Sequence, residues 1–167
     1  GHQRRVADLA SAIAGKMGLP HEEVYAIHLA GIVHDLGKIS IPAEILSKPA
    51  RLSEIEYSFI KTHPQVGHDI LKDIDFPWPV AQMVLQHHER MDGSGYPQGL
   101  KGDAILPAAR ILAVADVLEA MASHRPYRAG LGLEAAMQEI REHRGTRYDP
   151  AVVDAALQLL TSGEYTL

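Results

Sequence analysis

The 167-residue sequence contains no cysteine. Disulfides and thiolate metal sites are therefore excluded. Long apolar runs are missing as well. The apolar stretch Ile111–Ala115 is closed off by Arg110 and Asp116, far short of the roughly 20 residues that span a bilayer. The basic start, apolar middle and small-residue cleavage site of a signal peptide are not found either. Positive charge is in deficit: 16 Lys and Arg face 21 Asp and Glu, for a net charge of −5. That argues against broad binding to nucleic acid or to an anionic membrane. It leaves room for a small phosphorylated ligand wherever cations cluster locally. No internal repeat, low-complexity tract or strand-like alternation is present.

What the sequence does have is helical periodicity. Val6, Leu9, Ala10, Ile13, Ala14 and Met17 recur at spacings of three and four and form one helix face, which Gly18-Leu19-Pro20 ends. A second helix is predicted from His21, with Glu22 and Glu23 in its first turn, to about Leu36, with Gly37 as its stop. Ser53 and Glu56 frame a capping box for a helix that starts at Glu54 and breaks near Pro64. Further helices are predicted over Pro64–Asp73, Val80–Arg90, Pro107–Ser123, Leu133–His143 and Pro150–Leu160. Residues 91–103 hold Gly93, Gly95, Gly99, Gly102 and Pro97 and form a long irregular loop; inside a compact domain such loops are functional or mobile. Apolar residues make up 46% of the chain, enough for one substantial core. The expectation is one all-α domain over residues 1–167. Because helical periodicity is already running at Val6 and the first residue is Gly, the chain is expected to be a fragment of a longer protein, with Gly1, and His2 with it, open to a foreign origin.

Several polar residues stand on faces that should be buried. Asp116 interrupts Ile111-Leu112-Ala113-Val114-Ala115-Asp116-Val117-Leu118, which is apolar almost all round. His34 and Asp35 continue the stripe of Val24, Ile27, His28 and Gly31. A lone buried carboxylate is costly unless it is paired or bonded. Any one of these residues is most simply a hydrogen-bonded buried group. His34, Asp35, His63, His87, His88 and Asp116 together, on four segments, make a ligand set for zinc, iron, manganese or nickel. Adjacent helical residues splay apart by about 100°, so His34–Asp35 and His87–His88 serve two ions more naturally than one. An aspartate with two oxygens is the natural bridge. Two ions about 3.5–4 Å apart are a standard device for phosphoester hydrolysis.

These residues also form an ordered pattern. His34-Asp35-Leu36-Gly37-Lys38 resembles the signature of the HD phosphohydrolase superfamily, and His87-His88-Glu89-Arg90-Met91-Asp92-Gly93-Ser94-Gly95-Tyr96-Pro97 resembles that of its HD-GYP subfamily. The likeness runs on through Arg110 to Asp116, Arg125-Pro126-Tyr127-Arg128 and Tyr148-Asp149-Pro150, and it begins at His2-Gln3-Arg4-Arg5-Val6. The resemblance implies a helical HD bundle and a metal-dependent cyclic-di-GMP phosphodiesterase that cuts the cyclic dinucleotide to linear pGpG or on to GMP. By position, His34, Asp35, His63, His87, His88, Asp116 and, where the site is extended, His2 would be metal ligands, with Asp35 as the bridge. Two or three divalent ions are implied, iron or manganese favoured and zinc or nickel compatible. Some relatives bind a third ion with a glutamate one helical turn before the first histidine, a position ahead of Gly1.

The resemblance also makes Lys38, with Asp35, catalytic: its ammonium would sit beside the scissile phosphate. Arg125, Arg128, Tyr96, Gly95 and Lys38 would touch substrate. Where the subfamily often has aspartate, Glu119 stands one helical turn after Asp116, and a Lys38–Glu119 contact is expected. The other histidines, His28 and His68 among them, are assigned no ligand role; those two would pack nearby. Implied surroundings are an upstream receiver or sensor domain, a cytoplasmic location and, through the GYP loop, diguanylate cyclase (GGDEF) partners; a homodimer is compatible. Two rival readings are a module that senses cyclic-di-GMP or docks proteins without cutting, and an HD hydrolase of another cyclic dinucleotide.

Overall fold

The computed structural model describes residues 1–123 and 129–167, with the backbone alone described at 129–131. The described residues form α1 (His2–Lys16), α2 (His21–Val33), α3 (Ala43–Leu46), α4 (Glu54–Ile60), α5 (His63–Leu71), α6 (Val80–Gln86), α7 (Pro107–Ser123), α8 (Ala129–Glu142) and α9 (Pro150–Ser162). Short 3₁₀ turns lie at Leu36–Ser40 and Gly102–Ala104. No strand is present among the described residues, so the expected all-α architecture is what is found. No helix there is long and apolar enough to cross a membrane.

Local signals explain most boundaries. Gly18 takes a positive φ of 82° just past α1, a conformation that glycine adopts without steric cost. The Ser53–Glu56 capping box is complete, with side chains and backbone bonded in both directions. Pro107 opens α7 as the sequence predicts, and the helix is described as far as Ser123. Asp149 caps α9 by accepting from the N–H of Ala151.

Helix α7 is the spine. Ile111, Leu112, Val114, Ala115 and Leu118 are buried against Val6, Leu9 and Ile13 of α1, Ile27 of α2, Val80 and Val84 of α6, and Val152 and Val153 of α9. α1 and α2 cross closely because Gly31 faces Ala7: a Cβ at Gly31 would lie 2.7 Å from the Ala7 Cα. This packing points the start of α1, the end of α2, the start of α5, the end of α6 and the middle of α7 at one place.

Candidate metal centre

The chain leaves α2 earlier than its periodicity suggests. The helix ends at Val33, and His34 and Asp35 lead into the 3₁₀ turn Leu36–Ser40, which packs on α5. Gly37 makes that packing possible. A Cβ there would stand 1.9 Å from the carbonyl oxygen of His63, so Gly37 is a close-approach residue rather than a helix stop. The contact brings the Asp35 carboxylate to His63. α6 likewise stops at Gln86, short of the predicted Arg90, which places His87 at the helix cap and His88 in the turn beyond.

Three histidines are oriented in the same way. The Nδ1 of His34 bonds the carbonyl of Gly31 at 2.5 Å, that of His63 the carbonyl of Ile60 at 2.7 Å, and that of His87 the carbonyl of Val84 at 2.5 Å. A carbonyl only accepts, so these contacts assign a proton to Nδ1, and a lone pair faces inward on Nε2 whenever the ring is neutral. Those Nε2 atoms face inward. His63 Nε2 and His87 Nε2 are 3.3 Å apart, two acceptors confronting each other. His34 Nε2 is buried and has no hydrogen-bond partner among the described residues. Unpaired buried acceptors cost about 1–3 kcal/mol each. A cation among them removes that cost, and carbonyl-anchored imidazoles are how metal sites fix their ligands.

The donor atoms group into triads whose members lie within 4.8 Å of one another: His63, His87 and His88; His2, His34 and Asp116; and His34, Asp35 and His87. The first two share no residue, and Asp35 stands between them. Its Oδ1 is 3.4 Å from His63 Nε2 and its Oδ2 is 3.3 Å from His34 Nε2. All six of the principal candidates, and His2 with them, thus meet at one centre, and the residues present fit divalent ions.

The rings divide by what faces them: burial opposes protonation of His34, but the carboxylates of Asp116 and Asp35 beside it raise it above its ordinary value. Burial, and then the charge of His34, push His87 down to about 3, so its ring stays neutral. Burial and the neighbouring His87 likewise hold His88 well below its ordinary value. Burial would raise Asp35, but the His63 hydrogen bond and the charges of His34 and Lys38 outweigh it and keep the carboxyl ionised. Asp116 behaves alike: burial opposes ionisation, and the bond from His2 and the nearby rings of His34 and His88 prevail. His2 is raised to about 9, chiefly by its bond to Asp116.

Lys38 lies beside the centre, its Nζ donating to Asp35 Oδ2 at 3.1 Å. The expected Lys38–Glu119 contact is not formed. Glu119 is fully buried on α7 and turned toward α1, where it pairs with His2, accepts from Arg5 Nε at 2.5 Å and accepts from Ser123. Tyr96 stacks on His88, with ring centroids 4.8 Å apart and planes 17° from parallel. Gly95 is needed for close packing rather than for a turn, since a Cβ would lie 2.3 Å from the His88 carbonyl oxygen, whereas Gly93 does take a positive φ of 82°. Arg125 and Arg128 lie outside the described residues. His28 and His68 are not beside the centre: His28 pairs with Asp8, and His68 with Asp69 and Gln82.

The sequence reading missed the groups that hold the loop. Glu89 is only 2% exposed, and its two oxygens accept from the N–H of Gln98 at 2.8 Å and of Leu100 at 2.9 Å. Gln86 accepts from Leu106 N–H at 2.7 Å. Arg110 ties the loop end to α9, donating to the carbonyls of Ile105 and Gly102 and to Asp149. The one signal available was that Glu89 directly follows two candidate ligands.

Imidazole and carboxylate triads gathered about Asp35 define a helical protein with a candidate metal centre, and comparison with known proteins names the family. The HD domain family model matches residues 1–152, and the chain belongs to that family. It is 44% identical over 156 residues to the cyclic di-GMP phosphodiesterase response regulator RpfG of Xanthomonas campestris pv. campestris (strain 8004), an alignment covering 92% of this chain and 41% of that protein. It is 40% identical over 158 residues to 3'3'-cGAMP-specific phosphodiesterase 1 of Vibrio cholerae serotype O1, covering 94% of this chain and 37% of that protein. The chain therefore spans about two fifths of the length of these relatives. In structure it is similar to Bd1817, a HDG"Y"P protein from Bdellovibrio bacteriovorus, with a TM-score of 0.79, 21% identity, and coverage of 96% of this chain and 51% of that one; at that identity the likeness speaks for the fold.

Proposed function

We propose that the chain is a metal-dependent cyclic-di-GMP phosphodiesterase domain. The observation that carries this reading is the pair of disjoint donor triads with Asp35 between them and Lys38 at its edge. His63, His87 and His88 would hold one divalent ion and His2, His34 and Asp116 another, with one Asp35 oxygen toward each. Bound ions would supply a nucleophilic water at neutral pH and neutralise charge on the phosphoryl group. In the reaction, water adds to phosphorus, the bond to the 3′-oxygen breaks, that oxygen leaves with a proton from the Lys38 ammonium, and the proton lost by the water restores the ammonium. Lys38 holds positive charge beside that oxygen. The product is a linear dinucleotide with a 5′-phosphate. Iron or manganese is the preferred metal, bound as two ions or, with a further ligand, three.

The naming of the 44% identical relative as a response regulator supports an upstream receiver or sensor domain. A cytoplasmic location, GGDEF partners at the loop and a homodimer belong to the same reading. The 40% identical relative named for 3'3'-cGAMP supports a second substrate, the mixed cyclic dinucleotide.

The test is anaerobic metal loading followed by chromatography of products from cyclic-di-GMP, 3'3'-cGAMP and cyclic-di-AMP. Release of pGpG or GMP at the highest kcat/KM among the three is expected. Faster cleavage of 3'3'-cGAMP would install the second substrate instead. Saturable binding with no product would make the chain a sensing module and overturn the hydrolase reading.

A further inference from the structure

The stacked His88 and Tyr96 line a cavity of about 390 Å³. Such a volume is at the small end of ligand pockets and suits one nucleotide unit. Three cations line it, Lys61, Arg90 and Arg147, and so do three tyrosines, Tyr57, Tyr96 and Tyr148. No carboxylate is among its lining residues. The cations are only partly neutralised. Arg147 has Glu139 at 3.4 Å. Arg90 gives Nη1 to the carbonyl of Glu89 and lies over the Tyr148 ring at 5.5 Å. The Lys61 ammonium sits 5.1 Å from the Tyr57 ring centre and 5.7 Å from that of Tyr96.

In a chain with net charge −5, three cations converge on one cavity and, among the described residues, only Arg147 has a carboxylate beside it, a setting that favours an anion. Lysine and arginine suit phosphate oxygens, and tyrosine faces suit bases. A phosphomonoester carries about −1.5 to −2 near pH 7, more than a diester, and so matches this cluster better. The cavity shares the wall formed by His88 with the metal centre.

We propose that this cavity binds the 5′-phosphate and base of a purine mononucleotide unit, and that it holds the terminal 5′-phosphate of the linear dinucleotide while the metal centre cuts the remaining diester. Lys61 and Arg147 take the phosphate, Arg90 supports it, and Tyr57 and Tyr96 wall the base. That the nucleotide is a purine and half of the linear product rests on the phosphodiesterase reading; that the cavity takes a 5′-nucleotide does not.

The experiment compares metal-loaded wild type, Lys61→Ala, Arg147→Ala and the conservative Lys61→Arg. Lys16→Ala, which removes an exposed partner of Glu164, serves as the charge control. Two readouts are taken: hydrolysis of pGpG and of cyclic-di-GMP in separate time courses, and calorimetric titration with 5′-GMP, with thermal melting to verify folding. For pGpG the alanine variants should raise KM about tenfold or more with kcat nearly unchanged, so that pGpG accumulates from cyclic-di-GMP. Their affinity for 5′-GMP should fall by a similar factor, Lys61→Arg should recover most of it, and Lys16→Ala should match wild type. Unchanged 5′-GMP affinity in both folded alanine variants, or no 5′-GMP binding by wild type, would overturn the cavity assignment. Wild-type protein that cuts neither dinucleotide yet binds 5′-GMP through Lys61 and Arg147 would defeat the phosphodiesterase reading and leave the cavity assigned to a 5′-nucleotide.

Discussion

His34, His63 and His87 each spend Nδ1 on the carbonyl three residues back and turn Nε2 inward. His28, His68 and His143 pair instead with a nearby carboxylate, Asp8, Asp69 and Glu139 respectively, in partly or well-exposed positions. The outer pairs are complete in themselves and, being solvated, are worth little to stability. The inner rings are half satisfied, buried, and crowded lone pair against lone pair. A fold keeps such an arrangement where something else completes it. One residue type thus plays two parts, and what separates them is the fate of one ring nitrogen.

The strongest way to break this contrast is to remove the shared carboxylate. Asp35→Ala should abolish metal loading and lower turnover by on the order of 10³-fold or more; full activity in that variant would end the assignment. Lys38→Ala comes next. It should leave metal content intact and reduce kcat by about 10²–10⁴-fold, the range for a lost proton donor, and an unchanged kcat would reduce Lys38 to a partner of Asp35. Glu89→Ala acts on the support rather than the centre. It leaves the N–H groups of Gln98 and Leu100 without their buried acceptor, and urea unfolding should register a loss of about 2–4 kcal/mol, whereas a loss below 0.5 kcal/mol would mean that water replaces the carboxylate. Smallest of all, His28→Gln and His68→Gln should change metal content and kcat/KM by less than about twofold; a large loss of metal in either would dissolve the division into inner and outer histidines.

Much of this was readable beforehand, for reasons that differ by element. The start of α7 was legible because Pro107 marks it, and its burial because apolar residues surround the helix. The ligand candidates stood out because buried polar residues are rare and six occurred together. What periodicity could not supply was the end of α2, since Gly37 is required by the backbone of α5, a contact remote in sequence. The orientation of Nδ1 was equally hidden, because it depends on where each helix terminates. Glu119 was misassigned for a related reason: its α7 position put it on the same side as Asp116, but α1 offers His2 and Arg5 closer than the Leu36–Ser40 turn offers Lys38. The phosphate-like cavity draws Lys61, Arg90 and Arg147 from three separate segments, and only the fold brings them together.

The most direct test of the central claim, that the inward Nε2 atoms with Asp35 and Asp116 hold the metal of a hydrolase, is the metal content of anaerobically purified chain, measured by mass spectrometry alongside cyclic-di-GMP turnover. Two or more equivalents of divalent metal per chain are predicted, with chelation removing metal and activity together. Less than one equivalent in protein that still hydrolyses cyclic-di-GMP at full rate after chelation would contradict it.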